Sequence, residues 1–245
     1  LLLDNNFKSC DFSKLRISLA GGMQVQKNVA EKWQSVTGNV LSVGYGLSET
    51  SPAASIDPIG ANNFSDSLGL PLPSTEISIQ DDNGNHLAFN EPGEICIRGP
   101  QVMKGYWNNQ EETKKAITED GWFKTGDIGI MNEQGFPKIV DRKKDMIIVS
   151  GFNVYPNEIE EIAMTNDKIF EAGCIGIKDK DGNENIKLFV SKVPEVDLST
   201  DEIVEHCKNY LTGYKVPKFI EFIDEIPKSN VGKILRRELR GRKNA

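Results

Sequence analysis

Histidine and cysteine are scarce in this chain, and their spacing excludes several chemistries. His86 and His206 lie far apart. Cys10, Cys96, Cys174 and Cys207 include no C-x-x-C pair. No zinc-ligand spacing exists, and four free thiols in a reducing compartment is the expected state. Long apolar runs are missing too. "LLLDNN" is too short for a signal or membrane segment, and nothing elsewhere reaches the roughly 20 apolar residues of a spanning helix. An initiating methionine is absent, so the chain is read as the later part of a longer one.

Positive charge is in deficit. The 245 residues carry a net charge of −7. The last fifteen hold Lys233, Arg236, Arg237, Arg240, Arg242 and Lys243 against Glu238. The body is therefore more acidic than the whole. An acidic body argues against nucleic acid as a partner and leaves the basic tail local.

Several motifs fail on inspection. "GYGLSE" has no third glycine in place for a dinucleotide turn. "GLSET" lacks the last glycine of G-x-S-x-G. "DKDGNE" has Glu184 where a calcium loop needs glycine and Val190 where it needs a bidentate glutamate. "VGKI" lacks both the upstream glycine and the following Ser/Thr of a P-loop.

What is present divides into three parts and predicts an α/β plus α+β chain. Residues 1–65 predict the end of an α/β sheet layer. "QVQKNVAEKWQSVTG" sets Val25, Val29, Trp33 and Val36 at helical spacing, and "NVLSVGYG" is a strand running into a glycine turn. Residues 66–140 hold alternating runs, "EISIQ", "GEICIRG" and "DIGIMNEQGFPKIV", around Asn/Asp-Gly turns. They predict a small antiparallel β-barrel. Residues 141–245 predict a compact α/β domain. Its "YPNEIEEIA" helix has Pro156 at the first turn, Glu158, Glu160 and Glu161 near the positive dipole end, and Ile159, Ile162 and Ala163 as the apolar face. "CIGIKDKDGNENIKLFVSKV" reads as a hairpin, and "STDEIVEHCKNYL" opens with a Ser199–Glu202 capping box. Leu235 and Leu239 are expected to be the buried edge of a last short helix, with Arg236, Arg237 and Arg240 on its wet face.

Four stretches are polar and turn-rich beyond structural need: "AGGM", "GYGLSET", "FKTGDIG" and "VDRKKDMIIVSGFNVYPNEIEE". Five motifs stand in order: "GYGLSET", "GEICIRGPQVMKGYW", "GWFKTGDIG", "VDRKKDMIIVSGFNVYPNEIEEI" and "PKSNVGKILRREL". Together they resemble the adenylate-forming acyl-CoA synthetases over nearly the whole chain, and most of all the bacterial long-chain fatty acid–CoA ligases. The resemblance implies an acid–thiol ligase. A carboxylate attacks the α-phosphate of ATP, giving acyl-AMP and pyrophosphate, and coenzyme A then displaces AMP. It implies Lys233 as the catalytic lysine at the site of attack. Tyr45 would stack on adenine, with Gly21, Gly22, Gly44 and Gly46 giving close backbone approach. Ser48 would bond phosphate, Glu49 would hold Mg2+, and Asp127, with Arg142 beside it, would take the ribose hydroxyls. Asp141 and Lys144 belong to a hinge at 141–145, and Gly151 would line the coenzyme A path in a mobile lid, 141–245.

The family's Ser/Thr/Gly-rich phosphate loop is absent, so the chain reads as the C-terminal portion of a ligase that is inactive by itself. The implied setting is the cytoplasm, with peripheral contact at the inner membrane face and homodimerisation of the longer protein as open expectations. A short-chain or aryl acid–CoA ligase, and a non-catalytic module that binds AMP or an acyl-adenylate, are the alternative readings.

Overall fold

The computed structural model describes residues 1–242 except 3, 23, 24, 26 and 231. Met23 of "AGGM", Val231 of "VGKI" and Lys243 of the basic tail fall outside the described residues. The chain divides into two units, Leu1–Ile139 and Val140–Ala245.

In the first unit the elements run α1 (Asn5–Lys8), β1 (Ser18–Gly21), α2 (Lys27–Thr37), β2 (Leu41–Gly46), β3 (Ala53–Ile56), β4 (Leu70–Pro71), β5 (Glu76–Gln80), β6 (Gly93–Arg98), α3 (Gln110–Ala116), β7 (Phe123–Met131) and β8 (Pro137–Arg142), the last crossing the boundary between the units. Strands β1 and β2 are parallel, and β3 and β4 extend them antiparallel into one four-stranded sheet. The expected apolar stripe of α2 is only partly buried. Ala30 and Thr37 are covered, whereas Val29 is 43% exposed.

The predicted barrel is an open sheet instead. Strands β5-β6-β7-β8 pair in that order, and the two outer strands do not close on each other. Four strands are too few to curl into a filled cylinder, which takes about eight. The sheet packs Ile79, Ile95 and Ile97 with Tyr45, Ala54 and Leu68 into one core.

The second unit continues with β9 (Ile147–Val149), β10 (Phe152–Val154), α4 (Pro156–Met164), β11 (Ile169–Lys178), β12 (Glu184–Lys192), α5 (Thr200–Lys208), β13 (Phe219–Phe222) and α6 (Arg236–Gly241). The hairpin β11–β12 is antiparallel, and β13 joins β12 in parallel. Strand β12 is central, so alternate side chains enter two cores. Ile186, Leu188 and Val190 pack with Ile159, Ile203 and Cys207, while Phe189 packs with Ile175, Ile226 and Leu239. The Ser199–Glu202 capping box forms as expected.

Two charged side chains depart from expectation. Arg236, expected in solvent, is 8% exposed, and Glu160, expected near the positive end of the helix dipole, is buried at 4% exposure. Glu160 occupies the i+4 place in the buried series Pro156, Ile159, Glu160, Ala163, so helix geometry carries it inward. There Arg236 Nη2 donates to its two oxygens at 2.8 and 2.9 Å, and the Cys174 amide donates to it at 2.7 Å. Stripping one member from such a buried pair typically costs about 3–5 kcal/mol, because the other charge is left desolvated.

Burial pushes the Glu160 carboxyl up to about 7, against the pull of Arg236. The folded chain then holds a proton that the unfolded chain releases near 4.5. Stability from this group is present at low pH, falls as pH rises from 4.5 to 7, and is flat above. Urea unfolding at pH 5 and pH 7.5 should show the wild type losing stability relative to Glu160→Gln. A gain over that interval would mean that the carboxylate is ionised throughout.

Candidate functional site

In the first unit the glycine-rich stretches meet at the carboxyl ends of two parallel strands. Gly21 of β1 pairs in register with Gly44 of β2. Open sheets of this kind bind ligands outside the carboxyl ends of their parallel strands. Gly22 follows with φ +83° and open space where a Cβ would stand. The other glycines differ in what they need. A Cβ on Gly44 would meet Leu19 Cδ1 at 3.4 Å, ordinary contact, whereas on Gly46 it would fall 1.9 Å from the Pro52 carbonyl oxygen. Gly46 is therefore demanded by its own backbone neighbours.

After β2 the chain makes a 3-10 turn, Ser48–Thr50. The Thr50 hydroxyl accepts from the Leu47 amide at 2.9 Å and donates to the Pro52 carbonyl at 2.7 Å. Ser48 is exposed at its head, and Glu49 is half-buried. The Tyr106 hydroxyl donates to Glu49 Oε1 at 2.9 Å. Burial, with Glu49 second, pushes the Tyr106 phenol up, so it stays a donor. Tyr45 is 8% exposed, and its hydroxyl donates to Asp127 Oδ2 at 2.7 Å. Asp127 sits in β7 at 1% exposure, with its amide donating to the Thr125 hydroxyl.

In the second unit Asp141 is 1% exposed and accepts from the amides of Arg142 (2.7 Å) and Asn157 (2.8 Å). Burial pushes its carboxyl up. Arg142 is half-buried and Lys144 exposed, the latter on a 3-10 turn, Lys143–Asp145. Asp145 accepts from Arg240 Nη2 at 2.8 Å, and Asn157 Oδ1 accepts from Arg236 Nη2 at 2.7 Å. The turn "SG" joins β9 to β10 with Ser150 at φ 51° and Gly151 at φ 84°, the double positive φ of a type I′ hairpin. Lys233 is exposed on a short loop. The Ser229 amide donates to the Lys233 carbonyl, and the Gly232 amide to the Ser229 carbonyl, both at 2.8 Å. Gly232 is at φ 81°.

Comparison with known proteins agrees with both halves. The family model for AMP-binding enzymes matches residues 1–107, and that for the AMP-binding enzyme C-terminal domain matches 158–233. A long-chain-fatty-acid–CoA ligase of Yersinia pestis is 54% identical over 98% of this chain and 42% of its own length. The chain belongs to the AMP-binding enzyme family. It spans about two fifths of the length of the curated relatives it matches. Among solved structures, ATP-bound MatB from Rhodopseudomonas palustris aligns with TM-score 0.86 at 30% identity, over 92% of this chain and 45% of MatB. MenE, the o-succinylbenzoate CoA synthetase of Bacillus subtilis with its acyl-adenylate, aligns with TM-score 0.82 at 31% identity, over 95% of this chain and 47% of MenE.

Within the first unit the fold brings Gly21, Gly22, Gly44, Tyr45, Gly46 and Asp127 together, and within the second it sets Asp141 and Lys144 on one short segment. It also adds contacts that are not legible in the sequence. Tyr106 lay unremarked inside "KGYW". Arg236, Glu160 and Asn157 were hidden because charged and amide side chains are ordinarily on the surface. The usable signal was Glu160 in an apolar helical stripe.

Among the described residues no group of three or more His, Cys, Asp or Glu could hold a metal. Glu49 alone fits a cation that also takes phosphate oxygens and waters, as Mg2+ does. Gly46→Ala should destabilise the chain by about 1–3 kcal/mol in urea unfolding, through overpacking against fixed backbone. Gly44→Ala should cost clearly less. Equal losses would show that the Pro52 backbone yields freely.

Proposed function

We propose that this chain is the C-terminal portion of an ATP-dependent long-chain fatty acid–CoA ligase. The observation that carries this reading is the 54% identity, across nearly the whole chain, to a protein of that name. In this reading residues 1–65 end the large AMP-binding domain, 66–140 form a β subdomain, and 141–245 form a mobile lid hinged at 141–145. The longer protein activates a fatty acid with ATP and Mg2+ and hands the acyl group to coenzyme A. The 245 residues alone do not.

The roles follow from charge and access. Carboxylate and triphosphate repel each other, so positive charge where attack occurs is the largest available catalytic term. Lys233 supplies it. The Gly232 turn fixes the loop while leaving the side chain at the surface. Tyr45 stacks on adenine and holds Asp127, whose carboxylate accepts the ribose hydroxyls with Arg142 assisting. Gly21, Gly22, Gly44 and Gly46 let the nucleotide lie against backbone, and the Ser48 hydroxyl bonds phosphate. Glu49 would hold Mg2+, which neutralises phosphate charge when bound. Asp141 and Lys144 absorb the backbone change that withdraws Lys233 and brings the Gly151 turn toward coenzyme A.

In the full-length ligase, Lys233→Ala should slow pyrophosphate–ATP exchange by about 10²–10³. Thioester formation from supplied acyl-AMP should stay within a few-fold. Loss of both half-reactions together would remove Lys233 from the adenylation role. Lys144→Pro should do the reverse, slowing thioester formation and sparing exchange. Equal loss of the two steps would sink the pivot assignment. An acyl-chain panel with those assays separates a long-chain from a short-chain or aryl acid ligase.

A further inference from the structure

The segment Met103–Thr113 is built to a tighter specification than a surface loop needs. The Met103 amide donates to the Glu49 carbonyl at 2.8 Å. Gly105 follows at φ 149°, where a Cβ would meet Thr113 Cγ2 at 2.6 Å and its hydroxyl at 2.8 Å. The Tyr106 amide donates to the Thr113 hydroxyl at 2.9 Å, and the Tyr106 carbonyl accepts from the Asn109 amide at 3.2 Å. The same Thr113 hydroxyl donates to the Asn109 carbonyl at 2.8 Å. Both backbone groups of Tyr106 are thus fixed. The side chain so delivered reaches 57 residues back along the sequence to Glu49 Oε1.

Glu49 is therefore held twice by one segment, through its carbonyl and through one carboxylate oxygen. Packing does not require this. Tyr106 is 38% exposed, and its neighbour Trp107 is 90% exposed, so the segment buries little apolar surface there. Fixing one oxygen of a half-buried carboxylate orients the other, and groups that orient a metal-binding carboxylate typically contribute 10–100-fold to metal affinity.

We infer that Tyr106 is a positioning residue for the divalent cation: its hydroxyl holds Glu49 Oε1 and leaves Oε2 to meet the metal. The inference rests on the reading of Glu49 as the cation's carboxylate. It needs no change in protonation. Tyr106 donates throughout, and no bond to carbon or phosphorus is made or broken by it.

The test uses the full-length ligase with ATP and no fatty acid, so that no turnover occurs. Mn2+ is titrated as a paramagnetic probe and its free signal read by electron spin resonance. Tyr106→Phe, which deletes only the hydroxyl, should weaken Mn2+ binding about tenfold at unchanged Tm. Thr113→Val keeps the hydroxyl of Tyr106 but frees its amide, and it should shift the affinity in the same direction by less. Glu49→Gln should abolish the tight site. If Glu49→Gln abolishes it and Tyr106→Phe binds Mn2+ as the wild type does, the inference is overturned while the reading of Glu49 stands. If Glu49→Gln also binds as the wild type, both fall together. Should Tyr106→Phe lower the Tm, Thr113→Val alone at wild-type affinity also overturns the inference.

Discussion

The buried pair between Arg236 and Glu160 is the interaction on which the second unit depends. Its members are 76 residues apart in sequence. One guanidinium joins α6 to α4 through Glu160 and Asn157, and to β11 through the Cys174 carbonyl at 3.2 Å. Asn157 in turn donates from its backbone to Asp141, and Arg240 ties the same helix to Asp145. The start of α6, three residues past Lys233, is thereby referred to the segment that carries Lys144. A desolvated charge tolerates little displacement, because any lost partner leaves it uncompensated. The network therefore fixes the start of α6, while Lys233, just before it, is exposed.

The first unit solves a related problem with neutral donors. Two carboxylates, Asp127 and Glu49, each receive a tyrosine hydroxyl from a distant part of the chain, from Tyr45 and Tyr106 at 2.7 and 2.9 Å. A phenol orients a carboxylate without neutralising it, so negative charge remains available to hydroxyl or cation. The two differ in burial. Asp127 is enclosed at 1% exposure, whereas Glu49 stays half-open. An enclosed carboxylate suits a fixed hydrogen-bond acceptor, and a half-open one suits a hydrated ion.

Local signals carried much of this fold. The capping box at Ser199, the Pro156 helix start, the β11–β12 hairpin and the turn at Asn132–Gly135 all form, because each is decided by contacts within a few residues. The barrel failed for the opposite reason. Alternation along a strand says which face is buried, but not how many strands pair or whether the first meets the last. The α2 stripe failed in part because burial of Val29 needs a surface to pack on, which periodicity cannot supply.

The sequence by itself determined helices α4 and α5, the alternating strands of the open sheet, the β11–β12 hairpin and, through five ordered motifs, the family. Those features rest on backbone preference and on residue order, both of which are written along the chain. Only the tertiary structure decided that Arg236 and Glu160 are inside, that Tyr45 reaches Asp127, and that Tyr106 reaches Glu49. Each of these joins residues far apart in sequence through one or two polar atoms. A single hydrogen bond across such a distance leaves no periodic trace, and a charged residue's type argues for solvent until packing encloses it.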